Sequence, residues 1–206
     1  MNVTFKAAVA ALILAVAFAR SVAAGPLEDA LDAAERRDYA TAIRLWRPLA
    51  DKGEVDAQYH LGVMYDKGQG VTRDYAVAVS WFRKAADQGS APAQVSLGVM
   101  YENGLGVPQD FTTAASWYRT AADQGDTAAQ LNLGVMYENG WGVTQNHVIA
   151  HMWFSLAAVR GDRDAARNRD IAAAKLTPAQ IGEAQRLFRE WEPNLLRAEW
   201  RRDLHR

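Results

Sequence analysis

The chain has 206 residues, half of them hydrophobic, no cysteine and a formal net charge of −1. That composition supports one domain with a continuous core. The charge balance argues against nucleic acid, which needs a clustered basic face, and the missing cysteines leave neither a disulfide framework nor an acylation site.

Residues 1–24 read as a secretory signal peptide. Lys6 supplies a positive start, Ala7 to Ala19 is an unbroken apolar run, and Ser21-Val22-Ala23-Ala24 offers small residues before Gly25. The run falls short of the about 20 apolar residues of a membrane span. Cleavage is expected after Ala24, leaving a periplasmic or secreted protein with no integral membrane segment. A retained N-terminal anchor is the alternative.

Residues 25–54 read as a degenerate helix pair, 27–36 and 39–50. Asp38-Tyr39, Ala42, Ala50 and Gly53 return 36 residues later as Asp74-Tyr75, Ala78, Ala86 and Gly89, with Trp46 one place late for the tryptophan slot. Three full repeats follow, 55–90, 91–126 and 127–162, each containing Leu-Gly-Val-Met-Tyr at 61–65, 97–101 and 133–137. A fixed period in this range marks a repeat array whose units bury their apolar faces against neighbours.

Within each repeat a first helix is expected from Ala57, Ala93 or Ala129, with apolar residues at helical spacing. Gly62, Gly98 and Gly134 stand mid-helix, where Gly costs about 1 kcal/mol relative to Ala. Their recurrence predicts close approach of the second helix. A Gly-x-Gly-Val turn follows, and Asp74, Asp110 and Asn146 stand where an N-cap belongs. The second helix carries Trp81, Trp117 or Trp153 among alanines, and Gly89, Gly125 or Gly161 closes it. In residues 163–206 the pattern decays into capping helices. Thr177-Pro178-Ala179-Gln180 predicts a helix over 178–191.

The ordered set Ala-x-x-x-Leu-Gly-x-x-Tyr, Gly-x-Gly-Val, Asp, Ala, Trp-aromatic, Ala-Ala and Gly resembles the Sel-like repeat family, relatives of tetratricopeptide repeats. The resemblance covers 55–162 closely and the flanks loosely. It implies an all-α, right-handed solenoid of helix-turn-helix repeats whose first helices line a concave, protein-binding surface. Exported bacterial members of the family are interaction scaffolds, secretion-linked factors or regulators of envelope signalling. A cysteine-rich branch, for which activity on β-lactams has been claimed, carries paired cysteines in each repeat. This chain has none, so that activity does not carry over.

By that geometry the partner-binding rows are Tyr59, Val95, Leu131; His60, Ser96, Asn132; Val63, Val99, Val135; and Asp66, Glu102, Glu138. An apolar floor with an acidic rim suits a peptide with apolar anchors and some basic character. The plainer alternative makes the valines core and the carboxylates a solvated edge. Trp141 joins the candidates because it stands between turn glycines where other copies have Gln69 and Leu105.

Other chemistry is thinly supported. His147 and His151 share a helix face and two such histidines can grip zinc, but no third ligand is evident, and His147 fills an aromatic packing slot. Trp81, Trp117 and Trp153 suit core packing better than sugar stacking. Gly68-x-Gly70 lacks the strand and Lys-Ser/Thr of a phosphate loop. No catalytic residues, metal or cofactor are expected. Residues 195–206 form a basic amphipathic stretch that reads as part of the cap or as a weak membrane or partner contact. The expected function is an exported interaction adaptor and not an enzyme; an envelope hydrolase and a chaperone-like holder of secreted clients are the alternatives.

Overall fold

The computed structural model describes residues 25–203, with side chains through Trp191. The expected signal segment, 1–24, lies outside the described residues. Those that are described form helices and connections only: α1 (Pro26–Glu35), α2 (Tyr39–Asp51), α3 (Val55–Lys67), α4 (Tyr75–Asp87), α5 (Ala91–Asn103), α6 (Phe111–Asp123), α7 (Thr127–Asn139), α8 (His147–Val159), α9 (Arg163–Ala173) and α10 (Pro178–Asp203). They fall into two compact units, one ending at Asp74 and the other starting at Tyr75.

In the first unit α1 packs on α2 and α2 on α3. Ala30, Ala33, Ala42, Trp46, Ala50, Ala57, Leu61 and Met64 are buried. Asp38 caps α2 by accepting from the Thr41 N–H at 3.2 Å. Trp46 occupies the slot held by Phe82, Tyr118 and Phe154 in later copies, which accounts for its offset in sequence.

In the second unit α4 through α8 pack in chain order, and α9 and α10 both cover α8. The first helices begin two residues before the expected alanines. Ser90 and Asp126 are the reason: their side chains accept from the N–H groups of Ala93 at 3.4 Å and Ala129 at 2.8 Å. Gly104 and Gly140 then end α5 and α7 in the left-handed region, with φ of 67° and 71°.

The mid-helix glycines do what their cost suggested. A Cβ on Gly98 would stand 2.4 Å from Tyr118 Cε1, and one on Gly134 would stand 2.5 Å from Phe154 Cε1. The turns close by backbone bonds: Leu105 and Trp141 N–H groups donate to the Met100 and Met136 carbonyls at 2.9 and 3.0 Å. Asp110 and Asn146 donate back to the Tyr101 and Tyr137 carbonyls at 2.9 and 2.8 Å. The side chains of Asp110 and Asn146 in turn cap α6 and α8.

Two expectations shift. Trp117 is half-buried, unlike Trp81 and Trp153, which are core. The last helix does not end at Trp191 but runs through Pro193 to Asp203, forgoing the one backbone bond that proline cannot donate. Thr177 and Gln180 form its reciprocal cap, Thr177 N–H to Gln180 Oε1 at 2.9 Å and Gln180 N–H to Thr177 Oγ1 at 3.3 Å.

Candidate functional site

In the first unit Tyr59, His60, Val63 and Asp66 lie on α3, each half-buried. His60 faces inward along the packing of α3 on α2. Its ring stacks on Trp46 with centroids 4.7 Å and planes 9° apart. Burial pushes its imidazole below the ordinary range, against the raising effect of Asp56. Asp66 pairs with the neighbouring Lys67 at 2.9 Å.

In the second unit Val95 and Val99 on α5 lean against the core cluster built from α6, α7 and α8. Leu131 and Val135 on α7 lean against Ala150, Phe154 and Ala172 from α8 and α9. All four remain half-buried, so they belong to core and surface together. Ser96 Oγ donates to its own helix at the Pro92 carbonyl, 2.9 Å away. Asn132 lies beside the Tyr118 hydroxyl, whose pKa it lowers against the stronger raising effects. Thus His60 and Asn132, expected in one binding row, each engage the aromatic slot of the second helix before their own.

The acidic rim is largely engaged within the chain. Glu102 accepts from the buried Tyr118 hydroxyl at 2.6 Å. Burial and that carboxylate both drive the phenol's pKa upward. Glu138 meets His147 Nδ1 at 3.0 Å and the Lys175 ammonium beyond α9. Burial alone would raise its carboxyl, but the hydrogen bonds and charges of Lys175 and His147 outweigh that and hold it below its usual range.

Trp141 is the most open of the expected contact residues, 42% exposed. Its ring stacks on Phe111 at 5.7 Å, so it reaches back over the preceding second helix and not toward the C-terminal cap. His147 and His151 do not converge on one point. His147 turns to Glu138, while His151 is buried with Nδ1 3.4 Å from Ser155 Oγ. Among the described residues no group of three or more His, Asp or Glu side chains is placed to share a metal ion.

Two recurring features escaped sequence reasoning. Buried Gln58, Gln94 and Gln130 donate to the Ala50, Ala86 and Ala122 carbonyls at 3.1, 3.1 and 3.4 Å, stitching each first helix to the end of the second helix before it. Arg47, Arg83 and Arg119 donate to the hydroxyls of Tyr65, Tyr101 and Tyr137 across the same seam. The signal was available: arginine and tyrosine each recur at the repeat period, but the arginines read as ordinary surface charge.

Paired helices that recur with glycine turns and stitched seams define a helical-repeat fold of the kind that presents faces to other proteins. The Sel1 repeat profile matches residues 32–54, 55–90, 91–126 and 127–162. The chain belongs to the Sel1 repeat family, whose fold is an all-helical repeat solenoid. It is similar to a Sel1 repeat protein from Oxalobacter formigenes, at 32% identity and TM-score 0.68, over 70% of this chain and 60% of that one. It is also similar to c5321, a protective antigen of uropathogenic Escherichia coli strains displaying an SLR fold, at 32% identity and TM-score 0.60, over 79% and 43% of the two chains. The chain thus spans less than two thirds of the length of either relative. No curated protein gives a significant match. Sel1 repeat proteins are generally protein–protein interaction scaffolds.

Proposed function

We propose that the protein is an exported adaptor that holds a peptide or protein segment against the first helices of its repeats. The supporting observation is the graded burial of those helices. In the second unit the Ala, Leu and Met positions of α5 and α7 are buried, whereas Val95, Val99, Leu131 and Val135 keep surface available for a partner's apolar side chains. In the first unit Tyr59 and Val63 supply the equivalent positions on α3. Glu102 adds negative charge beside these positions, which favours a partner with some basic character. Trp141 offers a large aromatic contact whose neighbours in other copies are polar or aliphatic.

The test is capture of the partner from envelope extract, followed by hydrogen exchange with and without it. The adaptor reading expects a single stoichiometric partner and slowed exchange in α5 and α7. Protection confined to α4, α6 and α8 sinks the proposed face. Recovery of many unfolded clients replaces the adaptor with a holder, and turnover of cell-wall or β-lactam substrates by pure protein replaces it with an enzyme. Export is checked separately: the mature protein is expected to begin at Gly25.

A further inference from the structure

Arg83 and Arg119 occupy equivalent places on α4 and α6, and both are half-buried. Each is gripped by the repeat that follows. Arg83 donates to the Tyr101 hydroxyl, and its guanidinium carbon lies 5.7 Å from the Tyr101 ring centre and 6.0 Å from that of Trp117. Arg119 donates to the Tyr137 hydroxyl at 2.7 Å, with the Tyr137 and Trp153 ring centres 5.8 and 5.0 Å away. Such rings hold the guanidinium in place by cation–π attraction.

Among the described residues neither arginine forms an ion pair, although the Arg119 charge is felt by the Asp123 carboxyl one turn along its helix. A guanidinium presents its N–H donors as a planar fork suited to a carboxylate, and here the hydrogen-bond acceptor supplied by the described residues is a tyrosine hydroxyl. In the first unit the matching Arg47 is paired with Asp51, one turn along its own helix, at 3.6 Å. Asp87 and Asp123 stand at the same spacing from Arg83 and Arg119 without an ion pair in the described structure. Burial pushes the Asp123 carboxyl upward even though the Arg119 charge pulls it down. The tyrosines lie well around the helix from Val95, Val99, Leu131 and Val135, so this seam is a different face from the one proposed above.

We propose that Arg83 and Arg119, each held beside a tyrosine and a tryptophan ring and forming no ion pair among the described residues, are two equivalent receiving points for the acidic side chains of a partner segment. Their aromatic clamps fix the forks before the ligand arrives, which lowers the ordering cost of bidentate binding. The seam recurs with the repeat, so one extended acidic segment can engage both points.

The experiment uses the full chain and a synthetic peptide of alternating Glu and Ala, with the Gln-Ala peptide as control, in titration calorimetry at low and high salt. The Glu-Ala peptide is expected to bind, the Gln-Ala peptide not to, and added salt to weaken the complex. R83Q and R119Q together should reduce affinity at least about tenfold, the loss of a charge-assisted bond at each point. R83K with R119K should bind between the two, because lysine keeps the charge but not the fork. R189Q, a change at an exposed arginine on α10, should leave binding as it was. R83Q alone, with its helicity checked by circular dichroism, covers the case in which the double variant does not fold. No binding of the Glu-Ala peptide, equal losses from R189Q and R83Q, or unchanged binding by a folded R83Q overturns the proposal. Because Val99 and Val135 lie elsewhere, either binding face can fail without the other.

Discussion

Gly134 on α7 lies against the face of the Phe154 ring on α8, with room for a hydrogen and none for a methyl group. Two effects of opposite sign meet at this position. Replacing Gly by Ala inside a helix gains about 1 kcal/mol of propensity, while overpacking a close contact costs about 1–3 kcal/mol. Gly134→Ala is therefore expected to lower stability by up to about 2 kcal/mol in urea unfolding, the packing cost prevailing. Phe154→Leu in the same background should recover part of the loss. A Gly134→Ala protein more stable than wild type would show that the ring yields freely.

The Glu138 cluster predicts a dependence on pH with a definite sign. Its folded-state carboxyl is held below the ordinary carboxylate value by Lys175 and His147. Its stabilisation is thus present above the unfolded value and lost as pH falls through the folded one. Lys175 is half exposed to solvent, so screening keeps the contribution of the cluster near about 1 kcal/mol. Glu138→Gln should be destabilised by about that amount near neutral pH, and the gap to wild type should close as pH falls below the ordinary carboxylate range. A gap independent of pH would assign the effect to packing.

Asp110 accepts from the N–H groups of Thr112 and Thr113 at 2.9 and 3.1 Å and from the Thr113 hydroxyl at 2.6 Å. Asp110→Ala removes the cap of α6 and should cost about 1 kcal/mol by thermal or urea unfolding. Asp110→Asn, the residue type that caps α8 as Asn146, should restore most of it. These bonds with Thr113 hold the Asp110 carboxyl below its usual range, so the aspartate cap weakens in acid as that group takes up a proton. The asparagine version should be insensitive to pH there.

Trp141→Gln gives the third turn the residue of the first. With the ring already 42% exposed, the change should move stability by less than about 1 kcal/mol while weakening capture of the partner. Equal capture by wild type and variant would remove Trp141 from the binding face.

The helix pairs, their turns and nearly all of the core were legible because three aligned copies reveal which identities are structural. Ala93, Leu97, Met100 and Gly98 declare themselves by returning as Ala129, Leu133, Met136 and Gly134. The helix starts were misplaced because Ser90 and Asp126 differ in type while capping alike. What variability along the repeats does not reveal is how His60 and Asn132 are placed. Dissimilar residues at one slot resemble a specificity row, yet both are matched to the aromatic of the helix before, Trp46 and Tyr118. The arginine–tyrosine seam stayed hidden because pairing across repeats depends on which helix faces show, a relation that period alone does not state.

The glycine turns have a consequence for how such a chain changes length. Gly106 lies on the backbone of Tyr75 and Ala76, and Gly142 lies on that of Phe111 and Thr112, each too close for a side chain. Every turn is thus a roof tile laid over the unit before it, and its underside fits the start of any second helix. Excising residues 91–126 would lay the tile at Gly142 on Tyr75, the seat from which Gly106 had been removed. A gene for this protein can therefore gain or lose whole units in one step, while any other increment leaves a tile without a seat.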